Sequence, residues 1–261
     1  MLLPAALHAQ LSARLAGGLA FVSTYLDRGV IRTNQPVLQP SLSIGLPAGG
    51  GTVTIGAWAV VQPSSYTGSR YFSMAPGEKS PNVTEVRPSL ELAQPMGLAR
   101  VAFKATMQLF PNTVGINKDG NTLDLASTVS LERLPLSPAV MVAYDVGAIN
   151  GAYVEGTVRH RTPLSKGVTF DLTARAGWSI RQEVDSAPAA FAPYERDGFT
   201  HLDLTAGTSL LVAGTTIAPY LTYTYVPDPL ESPLAPGRQD RETLVFGTSI
   251  SLAGTFPKPK K

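Results

Sequence analysis

The sequence predicts an all-β protein: a single closed antiparallel transmembrane β-barrel of about twelve strands, with short periplasmic turns and longer extracellular loops. Three observations support this prediction. Long segments alternate between apolar and polar side chains with a period of two residues, the connections between them alternate in length, and only 15% of the 261 residues are charged. Repeated segments of about ten alternating residues, separated by turns, are typical of strands that cross a bilayer inside a barrel.

The alternation is clearest near the end of the chain, between Leu244 and Phe256. One face of this segment is apolar or small, whereas the other is small and mostly polar. The two-residue period indicates a strand with one apolar and one wet face, longer than a typical globular strand. The aromatic Phe256 ends it as a C-terminal barrel signal. In chain order, the predicted strands are 13–26, 37–46, 52–62, 84–93, 98–109, 121–133, 138–146, 152–161, 168–181, 199–212, 216–225 and 244–256.

The connections between these strands alternate in length. The shorter ones are 47–51, 94–97, 134–137, 162–167 and 213–215, and the longer ones are 27–36, 63–83, 110–120, 182–198 and 226–242. The exception is Asn150-Gly151, a dipeptide that favours a tight hairpin. Short turns on the periplasmic side and longer loops outside are typical of membrane barrels. Because lipid offers no hydrogen-bond partner, the last strand must pair with the first.

Composition narrows the possible classes of protein. Cysteine is absent, so there is no disulfide framework or thiolate metal site. The net charge of +2 argues against a nucleic-acid partner. After the first few residues, no apolar run is long enough for a transmembrane helix. We expect residues 1–9 to be the remnant of a secretory signal peptide, 10–256 to form one barrel domain, and 257–261 to be a short basic tail.

The first part of the chain carries a specific motif. It reads Val22-Ser23-Thr24-Tyr25, then Arg28-Gly29, then Thr33-Asn34-Gln35-Pro36, followed by Gln39, Ser41 and Gly56-Ala57-Trp58. Over roughly residues 17–60 this pattern resembles the TorF-like family of outer-membrane porins. The resemblance implies a porin fold, rather than a particular solute. The chain departs from the family pattern at Asp27, where an aromatic is usual, and in the residues that follow Phe256.

Charged side chains fall on the register that faces the barrel interior. Placing Arg or Lys on the lipid face would cost about 2–4 kcal/mol at the midplane. The charges either line a narrow water-filled channel or pair into networks that plug the barrel, since twelve strands lie between filled eight-stranded barrels and open larger ones. The predicted inward residues are Glu85, Arg87, Glu91, Arg100, Lys104, Asp124, Glu132, Asp145, Glu155, Arg159, Arg161, Asp171, Arg175, Arg181, His201 and Asp203.

Aromatic residues near strand ends suggest a belt at the level of the lipid headgroups. On the predicted registers these residues point outward: Tyr25, Tyr144, Tyr223, Tyr225 and Phe256. The other interpretation is that tyrosine simply favours strands.

The sequence therefore predicts a porin-like channel in the outer membrane of a diderm bacterium, which passes small polar or charged solutes by diffusion. Its partners would be membrane lipid, the solutes, and the barrel-assembly machinery during insertion. We expect no cofactor, metal or catalytic site, because His201 has no nearby serine and His160 lies on the outward register. Two alternatives stay open: a non-conducting structural or partner-binding barrel, and a soluble β-barrel or sandwich that binds a ligand. The oligomeric state is left open.

Overall fold

The computed structural model describes residues 12–63, 81–112, 121–183, 193–194, 196–227 and 241–256. Within these ranges the chain forms fourteen strands. They are β1 (Ala13–Val22), β2 (Tyr25–Asp27), β3 (Val30–Thr33), β4 (Val37–Ala48), β5 (Gly51–Gln62), β6 (Asn82–Met96), β7 (Ala99–Gln108), β8 (Thr122–Ser130), β9 (Ala139–Asp145), β10 (Ala152–Ser165), β11 (Val168–Ile180), β12 (Gly198–Val212), β13 (Thr215–Tyr225) and β14 (Glu242–Phe256). The described residues include no helix that is long and apolar enough to span a membrane.

Twelve of these strands close into a barrel in which every neighbour is antiparallel. The order around the wall is β1-β14-β13-β12-β11-β10-β9-β8-β7-β6-β5-β4. The ends of the chain close it: β14 pairs with β1 from Ala13↔Phe256 to Val22↔Gly247. Closure gives each wall strand two hydrogen-bonded neighbours, which satisfies the backbone without water. The prediction of a single closed barrel of about twelve strands is confirmed.

The two ends of the barrel differ in their connections. Ala13 and Phe256, the first and last residues of the wall, lie at one end, here called the turn end, where four of the five connections are only two residues long. Glycines with positive φ, such as Gly97 (65°) and Gly214 (83°), make these tight turns possible. The opposite end, here called the loop end, carries the longer connections, as predicted. The exception is the β9–β10 connection, 146–151, which is shorter than the β8–β9 connection, 131–138, at the turn end. The proposed signal remnant and basic tail fall on residues outside the described ranges and stay predictions.

The outer surface of the barrel is apolar. Many large apolar side chains on the outward register are exposed, among them Leu42 (56%), Phe103 (58%) and Leu244 (62%). Soluble proteins rarely expose apolar patches beyond a few hundred Å², whereas a band of this kind is what contacts hydrocarbon in membrane barrels. The alternative of a two-layered sandwich is wrong, because the sheet closes on itself.

The remaining two strands form a hairpin that lies inside the barrel. Since Val22 of β1 pairs with Val37 of β4, residues 23–36 leave the wall. We call these residues the lumen hairpin; β2 and β3 pair with each other within it. The sequence predicted that β1 would continue to residue 26 and that 27–36 would be an extracellular loop, and both predictions are wrong. Tyr25 is 5% exposed and packs on Trp58 inside the barrel, so it does not belong to an outward aromatic belt.

Candidate functional site: the lumen hairpin

The tip of the hairpin depends on two residues with left-handed backbone conformation. Arg28 has a φ of 52° and Gly29 a φ of 81°, the pattern of a two-residue turn between twisted strands. Gly29 also lies directly against His201, because a Cβ at this position would be 2.6 Å from the Cβ of His201. Both conformation and space therefore require glycine at this position.

On one side, Arg87 of β6 holds the hairpin. Its guanidinium donates to the two carboxylate oxygens of Asp27 at 2.6 and 3.2 Å and to the hydroxyl of Tyr25 at 3.0 Å. It also forms an ion pair with Glu85, whose second oxygen accepts a 3.0 Å hydrogen bond from Tyr25. The ring of Trp58 lies 5.2 Å below the guanidinium. Charge-assisted bonds of this kind are stronger than neutral ones, so β2 is firmly attached to the wall.

The tip is attached to other parts of the wall through Arg28. Its guanidinium pairs with Asp124 of β8 and lies 4.6 Å over the ring of Tyr153 of β10. Its carbonyl accepts a 3.0 Å hydrogen bond from the hydroxyl of Tyr194. Because β6, β8 and β10 lie at different positions around the barrel, the hairpin crosses the interior and is fixed from several directions.

His201 packs directly against the tip of the hairpin at Gly29. It is 1% exposed, stacks on Tyr153 with a ring separation of 6.3 Å, and its Nε2 lies 3.6 Å from Asp203. Its Nδ1 is 3.0 Å from the hydroxyl of Thr200. The structure thus places His201 beside Asp203 inside the barrel, and His160 on the exposed outer face of β10.

The lumen remains open between the hairpin and the turn end. A cavity of about 300 Å³ lies directly below the hairpin, lined by Tyr25, Arg175 and Tyr220 among others. Further cavities of about 300 and 530 Å³ continue toward the turn end, past Lys104 and Arg14 respectively.

The inward charges divide into two groups along the barrel axis. Near the loop end, Glu85, Arg87, Asp124 and Glu155 are engaged in hydrogen bonds with the hairpin or with the tyrosines around it. In the turn-end half, Arg100 pairs with Glu91 at 2.9 Å. Asp171 pairs there with Arg159 at 2.7 Å and with Arg161 at 2.9 Å. Lys104 lies opposite Glu91 in this half, whereas Arg175 and Asp203 stand opposite each other at mid-barrel, directly below the hairpin.

Three of the predicted inward residues lie elsewhere or do something else. Arg181 follows the end of β11, has a φ of 58° and is exposed, and its backbone N–H donates to Asp197. Glu132 lies in the exposed connection between β8 and β9. In both cases the alternating pattern of the sequence continues past the point where the strand ends. Asp145 is buried, and its carboxylate accepts bonds from Thr122 and from loop amides of residues 147, 149 and 150. It therefore holds a loop and does not face open lumen.

Other residues of the site were not predicted from the sequence. Asp27 and Arg32 are paired inside the hairpin, and Tyr153 and Tyr194 contact its tip. A short signal was present, since Asp27-Arg28-Gly29 is followed by four residues rich in β-branched side chains, which favours a tight hairpin. Arg14 lies on the inward register of β1 and was readable from the alternation. Among the described residues, no group of three or more His, Asp or Glu side chains could hold a metal ion.

Comparisons with known proteins place the fold. No protein-family model matches the chain, and no curated protein matches its sequence. Among solved structures, the chain is similar to the COG4313 outer-membrane channel from Pseudomonas putida F1, with 8% identity and a TM-score of 0.52, over 94% of this chain and 95% of the channel. The NanC porin follows with 10% identity and a TM-score of 0.48, over 93% and 98% of the two chains. With its apolar outer surface, this fold identifies the protein as a bacterial outer-membrane β-barrel.

Proposed function

We propose that the protein is a porin-like channel of a diderm bacterium, in which small polar or charged solutes diffuse through the barrel and the lumen hairpin forms the constriction. One observation carries this proposal: below the hairpin, the interior holds open cavities lined by polar and charged side chains. Polar and charged side chains around open space are what a path for hydrated solutes requires.

The physical mechanism is diffusion filtered by size and charge. At the hairpin, groups of both signs are held at fixed positions, with Asp27 and Arg87 on one side and Arg28 and Asp124 toward another. A solute that passes them meets preorganised charges, which select by field as well as by diameter. Transport is favoured over catalysis because His201, which of the two described histidines is the one beside a carboxylate, is covered by Gly29 and Tyr153 and offers no space for a substrate.

Single-channel conductance in planar bilayers with varied salts tests the proposal. The wild-type protein should conduct, and a variant in which residues 25–33 are replaced by a short Gly-Ser linker should conduct more, because the constriction is removed. As a control, the same replacement of residues 131–138 changes a connection at the turn end that bonds to the wall through the Arg159 N–H and the Leu136 carbonyl, far from the hairpin, and should leave conductance unchanged. If the wild type and the linker variant both insert and never conduct, the channel proposal is wrong.

A second candidate function is a non-conducting structural or partner-binding barrel, in which the hairpin is a permanent plug. The burial of the hairpin favours it, since Tyr25, Val30, Ile31 and Thr33 are all at most 7% exposed. The same experiment separates the two functions. A wild type that is silent, beside a linker variant that conducts, would identify the hairpin as a plug.

We also propose that the chain belongs to the TorF-like family. The residues that carry the resemblance have a common structural role, because Tyr25, Arg28 and Gly29 form the lumen hairpin and Trp58 packs against Tyr25. Insertion by the barrel-assembly machinery, with Phe256 as the C-terminal signal, remains part of this proposal. Phe256 ends β14 on the outward register and is 75% exposed, where the machinery could reach it.

A further inference from the structure

Inside the barrel, the carboxylates all have hydrogen-bond or ion-pair partners among the described residues, whereas some of the cations have no ion-pair partner. Every described carboxylate on the inner face or in the hairpin has a partner; the eight are Asp27, Glu85, Glu91, Asp124, Asp145, Glu155, Asp171 and Asp203. Six inner cations pair with them, namely Arg28, Arg32, Arg87, Arg100, Arg159 and Arg161. Arg14, Lys104 and Arg175 make no ion pair with any described residue. The imbalance therefore consists only of cations.

The nearest carboxylates do not satisfy these cations. Arg175 stands opposite Asp203 in the β11–β12 register, yet Asp203 accepts a 2.7 Å hydrogen bond from Thr224 and lies beside His201. Lys104 stands opposite Glu91, which pairs instead with Arg100. Their charged groups thus remain available to a solute.

The three cations are distributed evenly around the barrel. Arg14 lies on β1, Lys104 on β7 and Arg175 on β11, and in the order of the closed wall each of these strands is four positions from the next. Their long side chains therefore enter the lumen from three directions. Each contributes to one of the three cavities that lie between the hairpin and the turn end.

The charge of the interior also changes along its axis. Below the hairpin, six cations face three carboxylates, which leaves an excess of three positive charges among the described residues. The cations are Arg14, Arg100, Lys104, Arg159, Arg161 and Arg175, and the carboxylates are Glu91, Asp171 and Asp203; Arg175 and Asp203 stand opposite each other directly below the hairpin. Around the hairpin, the carboxylates outnumber the cations. The positive potential is therefore confined to the part of the lumen that is open.

We propose that the lumen between the hairpin and the turn end is a binding vestibule for small anions that carry a carboxylate or phosphate group, with Arg14, Lys104 and Arg175 as the anion ligands. The vestibule defines the solute class of the proposed channel and to that extent rests on it. Arginine and lysine bind oxyanions by charge-assisted hydrogen bonds, and a cleft lined by one sign of charge raises the local concentration of the opposite ion. Beside Arg175, the hydroxyls of Thr205, Tyr220 and Thr222 and the amide of Gln39 supply neutral hydrogen bonds to the rest of the solute.

Ion selectivity in planar bilayers tests the proposal. Under a potassium chloride gradient, the wild type should prefer chloride, and inorganic phosphate should reduce the chloride current. Arg175→Gln should lower the anion-to-cation permeability ratio about twofold, the effect of one unit charge acting over several ångströms of water. The triple variant Arg14→Gln/Lys104→Gln/Arg175→Gln removes the whole excess and should bring the ratio near one. Arg133→Gln, in the exposed turn-end connection, removes the same charge outside the lumen and should change nothing.

Heat-modifiable migration in gels shows that each variant is folded before it is measured. A conducting wild type that prefers cations, or a triple variant with wild-type selectivity, would overturn the vestibule while leaving the channel intact. If the wild type does not conduct, the channel proposal fails, and calorimetric titration of the detergent-solubilised barrel with inorganic phosphate decides the vestibule by itself. Binding that the triple variant loses supports it, and no binding to the wild type refutes it.

Discussion

The position of the lumen hairpin should depend on Gly29, and an alanine there is expected to displace the hairpin. The new methyl group would lie 2.6 Å from the Cβ and 2.7 Å from the Cγ of His201. Neither atom can move away easily, because His201 is 1% exposed and stacked on Tyr153. The φ of Gly29, 81°, is also unfavourable for any residue with a Cβ.

The two effects add. A left-handed backbone costs about 1–2 kcal/mol for a residue other than glycine, and overpacking of a well-packed site costs about 1–3 kcal/mol. Seating of the hairpin should therefore weaken by about 2–5 kcal/mol, which raises the displaced fraction about 30-fold to several thousandfold. The barrel wall should be little affected, because the described backbone bonds between residues 23–36 and the wall strands are those of Ser23 with Phe246, at the base of the hairpin and away from Gly29.

Limited trypsin digestion in detergent, followed by mass spectrometry, measures this fraction through cleavage after Arg28 and Arg32. Gly214→Ala is a matched control, because Gly214 has a nearly equal φ of 83° but nothing within 4 Å of the added methyl group. The Gly214→Ala variant carries the same backbone strain, but its rate of cleavage at Arg28 and Arg32 should equal that of the wild type. If Gly29→Ala is cleaved at Arg28 and Arg32 no faster than Gly214→Ala, the contact with His201 does not hold the hairpin and the reasoning fails.

Three more outcomes follow from the same structure. Arg87→Met leaves Asp27 and Glu85 without their shared cation and should weaken the hairpin by about 3–5 kcal/mol, the usual cost of breaking a buried ion pair; the same digestion measures it, and wild-type protection would contradict it. Burial alone would raise the pKa of Asp27, but Arg87 and neighbouring arginines lower it below its ordinary value. Because the pKa of Asp27 is lowered in the folded state, the stabilisation of the hairpin by ionised Asp27 is complete above about pH 4 and is lost only as the pH falls further. Conductance should therefore be constant between pH 7 and pH 4. A change near neutral pH would exclude Asp27 as the group that controls it. Leu172→Arg, on the lipid face, should destabilise the barrel by about 2–4 kcal/mol in chemical unfolding, whereas Thr173→Arg, on the neighbouring inward position, should cost much less; equal losses would contradict the assignment of faces.

The sequence predicted the wall of the barrel well because alternation encodes it directly. In β11 and β14, the side of each residue follows from its parity, and a one-residue slip would turn the whole apolar set inward. The inward placement of Arg175 and Asp171 could therefore be read before any coordinates were known. The same rule failed at Arg181 and Glu132, because parity says nothing about where a strand stops.

The lumen hairpin shows what alternation cannot determine. Tyr25 continues the pattern of β1, so the alternation does not show that the chain leaves the wall after Val22. Asp27-Arg28-Gly29 favours a tight hairpin but does not indicate that the hairpin folds inward. That departure is decided by contacts with residues distant in the chain, such as Glu85 and Asp124, 60 and 96 positions from their hairpin partners.

By itself, then, the sequence determined a closed antiparallel barrel, the parity of its wall residues and the presence of charges inside, because these depend on a local two-residue period and on the need to satisfy the backbone in lipid. The tertiary structure alone decided that residues 23–36 fold inward, which charges neutralise one another and which three cations have no ion-pair partner among the described residues. Those outcomes depend on which side chains meet across the lumen. The separation of two residues along the chain does not show whether their side chains meet there.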